Sequence, residues 1–313
     1  MKSLSRINFN NIKTVGIRVD FNIPVDEHFK ITDNTRLLRA RDTINFVKNQ
    51  NCKILLLSHF GRPKENYDEK FSFQTLIDQF SEVLDVNLNL LTYETFLKNG
   101  ISDFINLNHQ ITLLENIRFF KGEIDNELTF SKLITDQLDL YINEAFSASH
   151  RSHSSVNRMP KNITSVPGFN FEKEVLAIKE IKNSTKKKLA IIGGSKVSTK
   201  INTLLSLTKS CANIFISGAM ANNFLKFKGI PVGSSLLEEG SEKMINQIYA
   251  SAQEEECEIH LPLDVALDNE NTSTIDKLSS QDNFKILDLS DESLKLLTSL
   301  IHKSELILWN GPL

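Results

Sequence analysis

The sequence predicts an α/β protein made of two Rossmann-like parallel-sheet lobes joined by a helix. Three observations predict it. Short apolar runs recur along the whole chain, helical patterns fall between most of them, and proline and glycine punctuate the pattern near the middle, at Pro160 and Pro167-Gly168. Strands that alternate with helices imply a mainly parallel sheet with right-handed crossovers. A chain of 313 residues is long enough for about two domains. The expected division is 1–169 for the first lobe, 170–184 for the connecting helix and 185–313 for the second lobe.

In chain order, Val15, Ile17, Val19 and Phe21 alternate with polar residues or glycine, so 14–22 reads as a strand. Thr32 or Asp33 can cap a helix running to about Asn49, with Leu37, Leu38, Ile44 and Val47 as its apolar positions. Ile54–Leu57 is wholly apolar, as a buried parallel strand should be. Further strands are expected at 111–114, 139–142, 188–192, 213–217, 258–262 and 305–309. After the central prolines, 171–181 reads as a helix with Val175, Ile178 and Ile181 on one side.

Bulk properties narrow the function. A hydrophobic share of 40% and a charged share of 24% are those of an ordinary globular protein. The net charge of −3 gives no general attraction to nucleic acid or anionic membrane, so neither is expected as a partner. Cys52, Cys211 and Cys257 lack metal-ligand or redox-motif spacing. The N-terminus has no apolar signal core, and no apolar run is long enough to span a bilayer. A cytoplasmic monomer is the expectation.

Ligands of an open α/β sheet bind beyond the carboxyl ends of its strands, and basic residues collect there. Asp20 and Asn22 follow the first run, and His59 and Arg62 the second. Arg118 follows the third, and His150, Arg151 and His153 the fourth. Arginine grips phosphate and carboxylate bidentately, so such a rim suits a small phosphorylated acid. Arg36 lies in the first turn of its helix, where the macrodipole disfavours a cation, which points to a bound anion. Singly, an arginine is by default a solvated surface charge, and Asp20 could simply pair with Arg18. Metal binding by His150 and His153 ranks well below anion binding. In the second lobe the strand at 188–192 runs into Gly193-Gly194-Ser195-Lys196-Val197-Ser198-Thr199-Lys200. This turn lets backbone N–H groups approach a phosphate, and Lys196 and Lys200 would share a helical face if the helix began near Lys196. The turns at Gly218 and Asn310 could line the same cleft.

Seven motifs in order then carry a family resemblance. They are Arg-Val-Asp-Phe-Asn-Ile-Pro (18–24), Ile-Thr-Asp-Asn-Thr-Arg (31–36), Ser-His-Phe-Gly-Arg-Pro (58–63), Leu-Glu-Asn-Ile-Arg-Phe (114–119), Ala-Phe-Ser-Ala-Ser-His-Arg-Ser-His-Ser-Ser (145–155), Gly-Gly-Ser-Lys-Val-Ser-Thr-Lys (193–200) and Trp-Asn-Gly-Pro-Leu (309–313). The chain resembles phosphoglycerate kinase. The resemblance implies phosphoryl transfer between 1,3-bisphosphoglycerate and Mg-ADP, giving 3-phosphoglycerate and ATP, with a hinge closure bringing the two substrates in line. It implies that Asp20, Asn22, Arg36, His59, Arg62, Arg118 and Arg151 hold the phosphoglycerate, with His150 in support. Gly193, Gly194, Ser195, Lys196 and Lys200 would hold the nucleotide phosphates, and Gly218 and Asn310 would border the nucleotide. Arg36, Lys196 and Lys200 would neutralise the phosphoryl group in flight. Asn143-Glu144 stands where the family usually has an aspartate before Ala-Phe. The chain ends at Leu313, before the family's Mg²⁺-binding aspartate, so the second lobe is expected to be incomplete. The alternative expectation is a chain that binds 3-phosphoglycerate without efficient turnover.

Overall fold

The computed structural model describes residues 3–313 except 65, 107, 185 and 282. The chain divides into two compact units, Met1–Lys179 and Glu180–Leu313. Among the described residues no helix is long and apolar enough to cross a membrane.

The first unit is organised by β1 (Thr14–Arg18), α1 (Thr35–Lys48), β2 (Lys53–Leu57), α2 (Ile77–Leu84), β3 (Leu88–Leu91), β4 (Ile111–Leu114), α3 (Leu128–Thr135), β5 (Leu140–Asn143) and β6 (Ser165–Pro167). Helix α4 (Phe169–Asn183) follows, and the division between the units falls inside it. The six strands form one sheet in the order β3-β4-β2-β1-β5-β6, and every pairing is parallel. Both faces are covered. Ile54 and Leu56 pack into one apolar cluster with Ile17, Leu37 and Ile44, while Leu55 and Leu57 pack into another with Leu114, Tyr141 and Phe120. A strand buried on both sides needs an unbroken apolar run, which is why β2 reads as it does.

Several sequence expectations change in detail. The first strand stops at Arg18 rather than at 22, because the chain turns away to make the loop that carries Asp20 and Asn22. Neither Thr32 nor Asp33 is the N-cap of α1. Asn34 takes that position, and the Asp33 carboxylate accepts the Thr35 N–H at 2.8 Å. Leu38, expected on the buried face of α1, is exposed, and Ala40 and Thr43 are buried instead. β3 and β6 are edge strands that the sequence hid: β3 has asparagine in its alternation, and β6 is three residues long and ends in proline. Glu144 is buried, and its Oε1 accepts the Asn170 N–H at 2.9 Å, which fixes the start of α4 to the end of β5.

The second unit contains β7 (Lys188–Ile192), α5 (Ile201–Thr208), β8 (Asn213–Ile216), α6 (Gly218–Phe227), α7 (Glu242–Glu254), β9 (Glu258–His260), β10 (Asp264–Leu267), β11 (Thr272–Thr274), β12 (Ile286–Leu289), α8 (Asp291–His302) and β13 (Leu306–Asn310). One sheet has the order β13-β7-β8-β9 and is parallel throughout. The three short strands β11-β10-β12 form a separate antiparallel sheet over Val265, Leu267, Leu278 and Phe284. This small sheet was not legible in the sequence, because its strands are brief and carry little alternation.

Behind the rim of the first unit, Phe21, Phe80, Phe73 and Phe60 pack ring against ring at 5.3, 5.7 and 6.3 Å. Phe80 is fully buried. Phe80→Ala is expected to lower the stability of this unit by about 3–5 kcal/mol, as other buried phenylalanine truncations do. Urea unfolding followed by circular dichroism measures it, and a loss below 1 kcal/mol on the order of a surface mutation would show that this stack is not part of the core.

Candidate active site

The loops after β1, β2, β4 and β5 issue from four adjacent parallel strands, so they emerge on the same edge of the sheet. Three buried polar residues shape them. The Glu115 carboxylate accepts Ser72 Oγ at 2.6 Å and the N–H groups of Phe73 and Asn116 at 2.9 and 2.8 Å. Asn116 donates to the carbonyls of Phe60 and Phe71 at 2.7 and 2.9 Å and accepts the Arg118 N–H at 3.2 Å. Ser58 accepts the Phe21 N–H at 2.8 Å and donates to the Val19 carbonyl at 3.0 Å. These bonds satisfy backbone groups in a stretch without regular ladders. They also hold the Arg62 and Arg118 loops beside the first.

The basic side chains do come together. Arg18, Arg118, Arg151 and His153 all act electrostatically on His59. Arg118 is in turn acted on by Arg151, Arg18 and Arg62, and His153 by Arg118, Arg151, Arg18 and His150. Burial and these cations push His59 down to about 2, His153 down to about 4 and Arg118 down to about 10. Both histidines are therefore neutral at physiological pH. The rim is a guanidinium cluster with imidazole donors, not the mixed cationic cluster that residue types alone suggest.

Asp20 and Arg36 adjoin this rim. Arg36 Nη1 donates to Asp20 Oδ2 at 3.0 Å and to the Asn22 carbonyl at 2.9 Å. Asn22 Oδ1 accepts the Gly61 N–H at 2.8 Å, and Arg118 Nη1 donates to the Gly61 carbonyl at 2.5 Å. A continuous set of contacts thus links Arg36 to Arg118. Asp20 does not pair with Arg18. Its carboxylate accepts Arg36 and, at 2.5 Å, Ser147 Oγ. A cavity of about 130 Å³ opens here between Asp20, Arg36, Arg39, Glu144, Ser147 and Asn170.

Three participants went unassigned in the sequence reading: Arg18, Glu123 and Ser155. Arg18 is 2% exposed and Glu123 is fully buried. A charged residue inside the apolar alternation of β1 was the available signal for Arg18. Nothing local marked Glu123, whose partners lie more than thirty residues away along the chain at Ser155.

In the second unit, the turns after β13, β7 and β8 meet in the same way. Gly193 N–H donates to the Asn310 carbonyl at 3.0 Å, Met220 N–H to the Gly194 carbonyl at 2.7 Å and Ser217 Oγ to the Pro312 carbonyl at 3.1 Å. A side chain at position 193 would place its Cβ 1.5 Å from the Pro312 carbonyl oxygen, so that position requires glycine, and Gly218 has a φ of +62°, in the left-handed region that favours glycine. Lys200 Nζ donates to the Gly193 carbonyl at 2.6 Å, the Asn310 carbonyl at 3.0 Å and Asn310 Oδ1 at 2.5 Å. Ser195 and Lys196 are exposed. The helix starts only at Ile201, so Lys196 and Lys200 do not share a helical face; they lie on the turn that precedes it. An apolar cleft of about 70 Å³ lies alongside, bounded by Gly218, Ala221, Leu225, Val265, Ile286 and Leu289.

Comparison with known proteins identifies the family. The phosphoglycerate kinase family model matches residues 4–313. The chain belongs to the phosphoglycerate kinase family. It is 38% identical to the phosphoglycerate kinase of Prochlorococcus marinus strain MIT 9312, over 99% of this chain and 80% of that protein. It is 35% identical to that of Wolbachia sp. subsp. Drosophila simulans strain wRi, over 96% and 76%. The solved phosphoglycerate kinase of Coxiella burnetii superposes with a TM-score of 0.83 at 30% identity, covering 99% of this chain and 80% of the other. Membership makes this chain a phosphotransferase of the phosphoglycerate kinase type, acting on small phosphorylated substrates.

The neutral histidines set a pH dependence. Between the ordinary imidazole value of 6.5 and their lowered values, the unfolded chain binds more protons than the folded one, so stability falls as pH drops. Glu144, pushed up to about 7 by burial, acts oppositely, losing stability as pH rises from 4.5 to 7. Burial also raises the Glu123 carboxyl and lowers the His260 imidazole, so three histidines stand against two glutamates and outweigh them. The melting temperature is expected to fall from pH 6.5 to 5, and His59→Gln should visibly shrink that fall. An undiminished fall in the variant would mean that His59 titrates normally.

Proposed function

We propose that the first unit binds 3-phosphoglycerate and 1,3-bisphosphoglycerate, the second binds ADP and ATP, and the chain transfers the phosphoryl group between them. The observation that carries this reading is the guanidinium cluster of Arg18, Arg62, Arg118 and Arg151 on the carboxyl edge of one parallel sheet. Guanidinium forks match the paired oxygens of carboxylate and phosphate. In this reading Arg62, Arg118 and Arg151 grip those oxygens, His59 adds a neutral N–H donor and His150 supports Arg151. Asp20 and Asn22 orient the glycerate and hold Arg36 in place.

Gly193, Gly194, Ser195, Lys196 and Lys200 would receive the nucleotide phosphates. Gly218 and Asn310 would border the nucleotide, whose base would enter the apolar cleft. An ammonium has three donors, and Lys200 directs bonds to three oxygens. It must exchange at least one of them to meet a phosphate. Among the described residues no group of three or more His, Cys, Asp or Glu is placed to hold a metal ion. Mg²⁺ is read as entering with the nucleotide, as Mg-ADP or Mg-ATP, with phosphate oxygens among its ligands. Phosphoryl transfer needs positioning and charge neutralisation more than a covalent nucleophile, and Arg36, Lys196 and Lys200 would supply the neutralising charge. Three buried free thiols fit a cytoplasmic enzyme, and we read it as a monomer.

Isothermal calorimetry with 3-phosphoglycerate is expected to give one site per chain, weakening as salt rises because the contacts are ionic. No heat at millimolar ligand would sink the assignment.

Arg36→Ala is expected to cut the rate of transfer by about 10²–10³, the usual effect of deleting a donor aimed at developing charge. Its side chain is 45% exposed, so the melting temperature should barely move. A large drop in melting temperature with an unchanged rate would mark Arg36 as structural.

A further inference from the structure

We propose that Glu123 is a positioning residue for phosphoglycerate recognition: through Ser155 and Arg18 it fixes His59 as the tautomer that carries its proton on Nε2. The proposal deepens the functional reading above and rests on it for the identity of the ligand.

The connection is directional at every link. Glu123 is fully buried, on the short helical turn Lys121–Ile124, outside all seven motifs. Its Oε2 accepts the Ser155 N–H at 2.8 Å, and its Oε1 accepts the Ser155 hydroxyl at 2.6 Å. That hydroxyl has one proton, given to Glu123, so toward any other partner it can only accept. The partner is Arg18 Nε, at 3.0 Å. Arg18 Nη1 donates to the Val19 carbonyl, and Arg18 Nη2 lies 3.1 Å from His59 Nδ1. A guanidinium has no lone pair to offer. His59 Nδ1 must therefore be the bare nitrogen, and a neutral ring then carries its proton on Nε2. Tyr141 secures the central link, donating its hydroxyl to the Ser155 carbonyl at 2.7 Å.

Charge gives the same answer. Arg18, Arg118, Arg151 and His153 surround His59, so the doubly protonated ring is excluded and only the tautomer is left to be set. Arg18 is 2% exposed, and a buried cation among other cations requires a counter-charge. Glu123 is the buried carboxylate on which Arg18 and Arg118 act. Burial raises its carboxyl, and Arg18 together with the two Ser155 bonds opposes that rise. Without the anion, Ser155 would have no reason to turn its lone pairs toward Arg18. Arg18 would then lose both its acceptor and its orientation toward His59. An anionic ligand at the rim needs N–H donors, and a ring with Nε2–H supplies one at no cost in added charge.

The test combines histidine nitrogen NMR with ligand titration on the full chain, using 3-phosphoglycerate and ADP as ligands. The intact protein is expected to show His59 with a protonated Nε2 and a bare Nδ1. Glu123→Gln places an amide donor against Ser155 and disrupts the order of donors; Ser155→Ala removes the link while sparing the carboxylate. Both should give mixed His59 tautomers and raise the Kd for 3-phosphoglycerate by about tenfold, the scale of one lost charge-assisted hydrogen bond. The Kd for ADP should not change. A protonated Nδ1 in the intact chain would overturn the proposal at once. So would folded variants that keep the pure Nε2–H tautomer and the original Kd for 3-phosphoglycerate. If Glu123→Gln does not fold, Ser155→Ala decides. Failure of the intact chain to bind 3-phosphoglycerate would count against the substrate assignment, while the ring nitrogens still decide the relay.

Discussion

Cations gathered in a partly buried rim repel one another and lose hydration. The first unit is organised around making that arrangement tolerable. Bare arginines at this density would be pushed into solvent or would unfold the loops that carry them. The protein gives three of these arginines fixed acceptors: Arg18 has Ser155 and the Val19 carbonyl, Arg36 has Asp20 and the Asn22 carbonyl, and Arg118 has the Gly61 carbonyl. Most of these acceptors are neutral, so the rim keeps its positive field for a ligand. His59 and His153 are left neutral and add donors without adding repulsion. The parallel sheet makes this possible, because β4-β2-β1-β5 are neighbours and deliver their loops to the same edge.

The second unit applies a related logic with backbone in place of side chains. Its three turns are tied by carbonyl bonds, and glycine at 193 allows a closeness that any Cβ would prevent. Its cationic side chains behave differently from one another. Lys196 stands exposed, whereas Lys200 is drawn back onto carbonyl oxygens and its ammonium is held below its ordinary value by burial. One lysine is free to meet a ligand, and the other is held by protein oxygens that a phosphate oxygen can replace.

Much of this was legible in the sequence. The short, unbroken apolar runs of β2 and β7 announced buried parallel strands, and the basic residues just beyond the runs announced the rim. Arg62, Arg118 and Arg151 could be nominated without coordinates, because strand-end position is a local property. Other features were not local. Asp20 chose Arg36 over the nearer Arg18 because β1 ends sooner than its alternation suggests, turning Asp20 toward α1. Glu115, Asn116 and Glu123 read as ordinary polar residues, since their importance lies in partners tens of residues away. Lys200 looked helical from its spacing, but the glycine-rich turn uses up the residues that would have formed the first helical turn. The short antiparallel strands escaped because three or four residues carry too little pattern to be told from loop.

Membership in the family rests on similarity along the whole chain, whereas the roles of individual side chains rest on the rim acting as one pocket. The most direct test of that claim is a crystal structure of this chain soaked with 3-phosphoglycerate. The account predicts one ligand at the carboxyl edge of the six-stranded sheet, its oxygens within hydrogen-bond distance of at least Arg62, Arg118 and Arg151. A ligand bound elsewhere, or one touching a single arginine while the others face solvent, would contradict it.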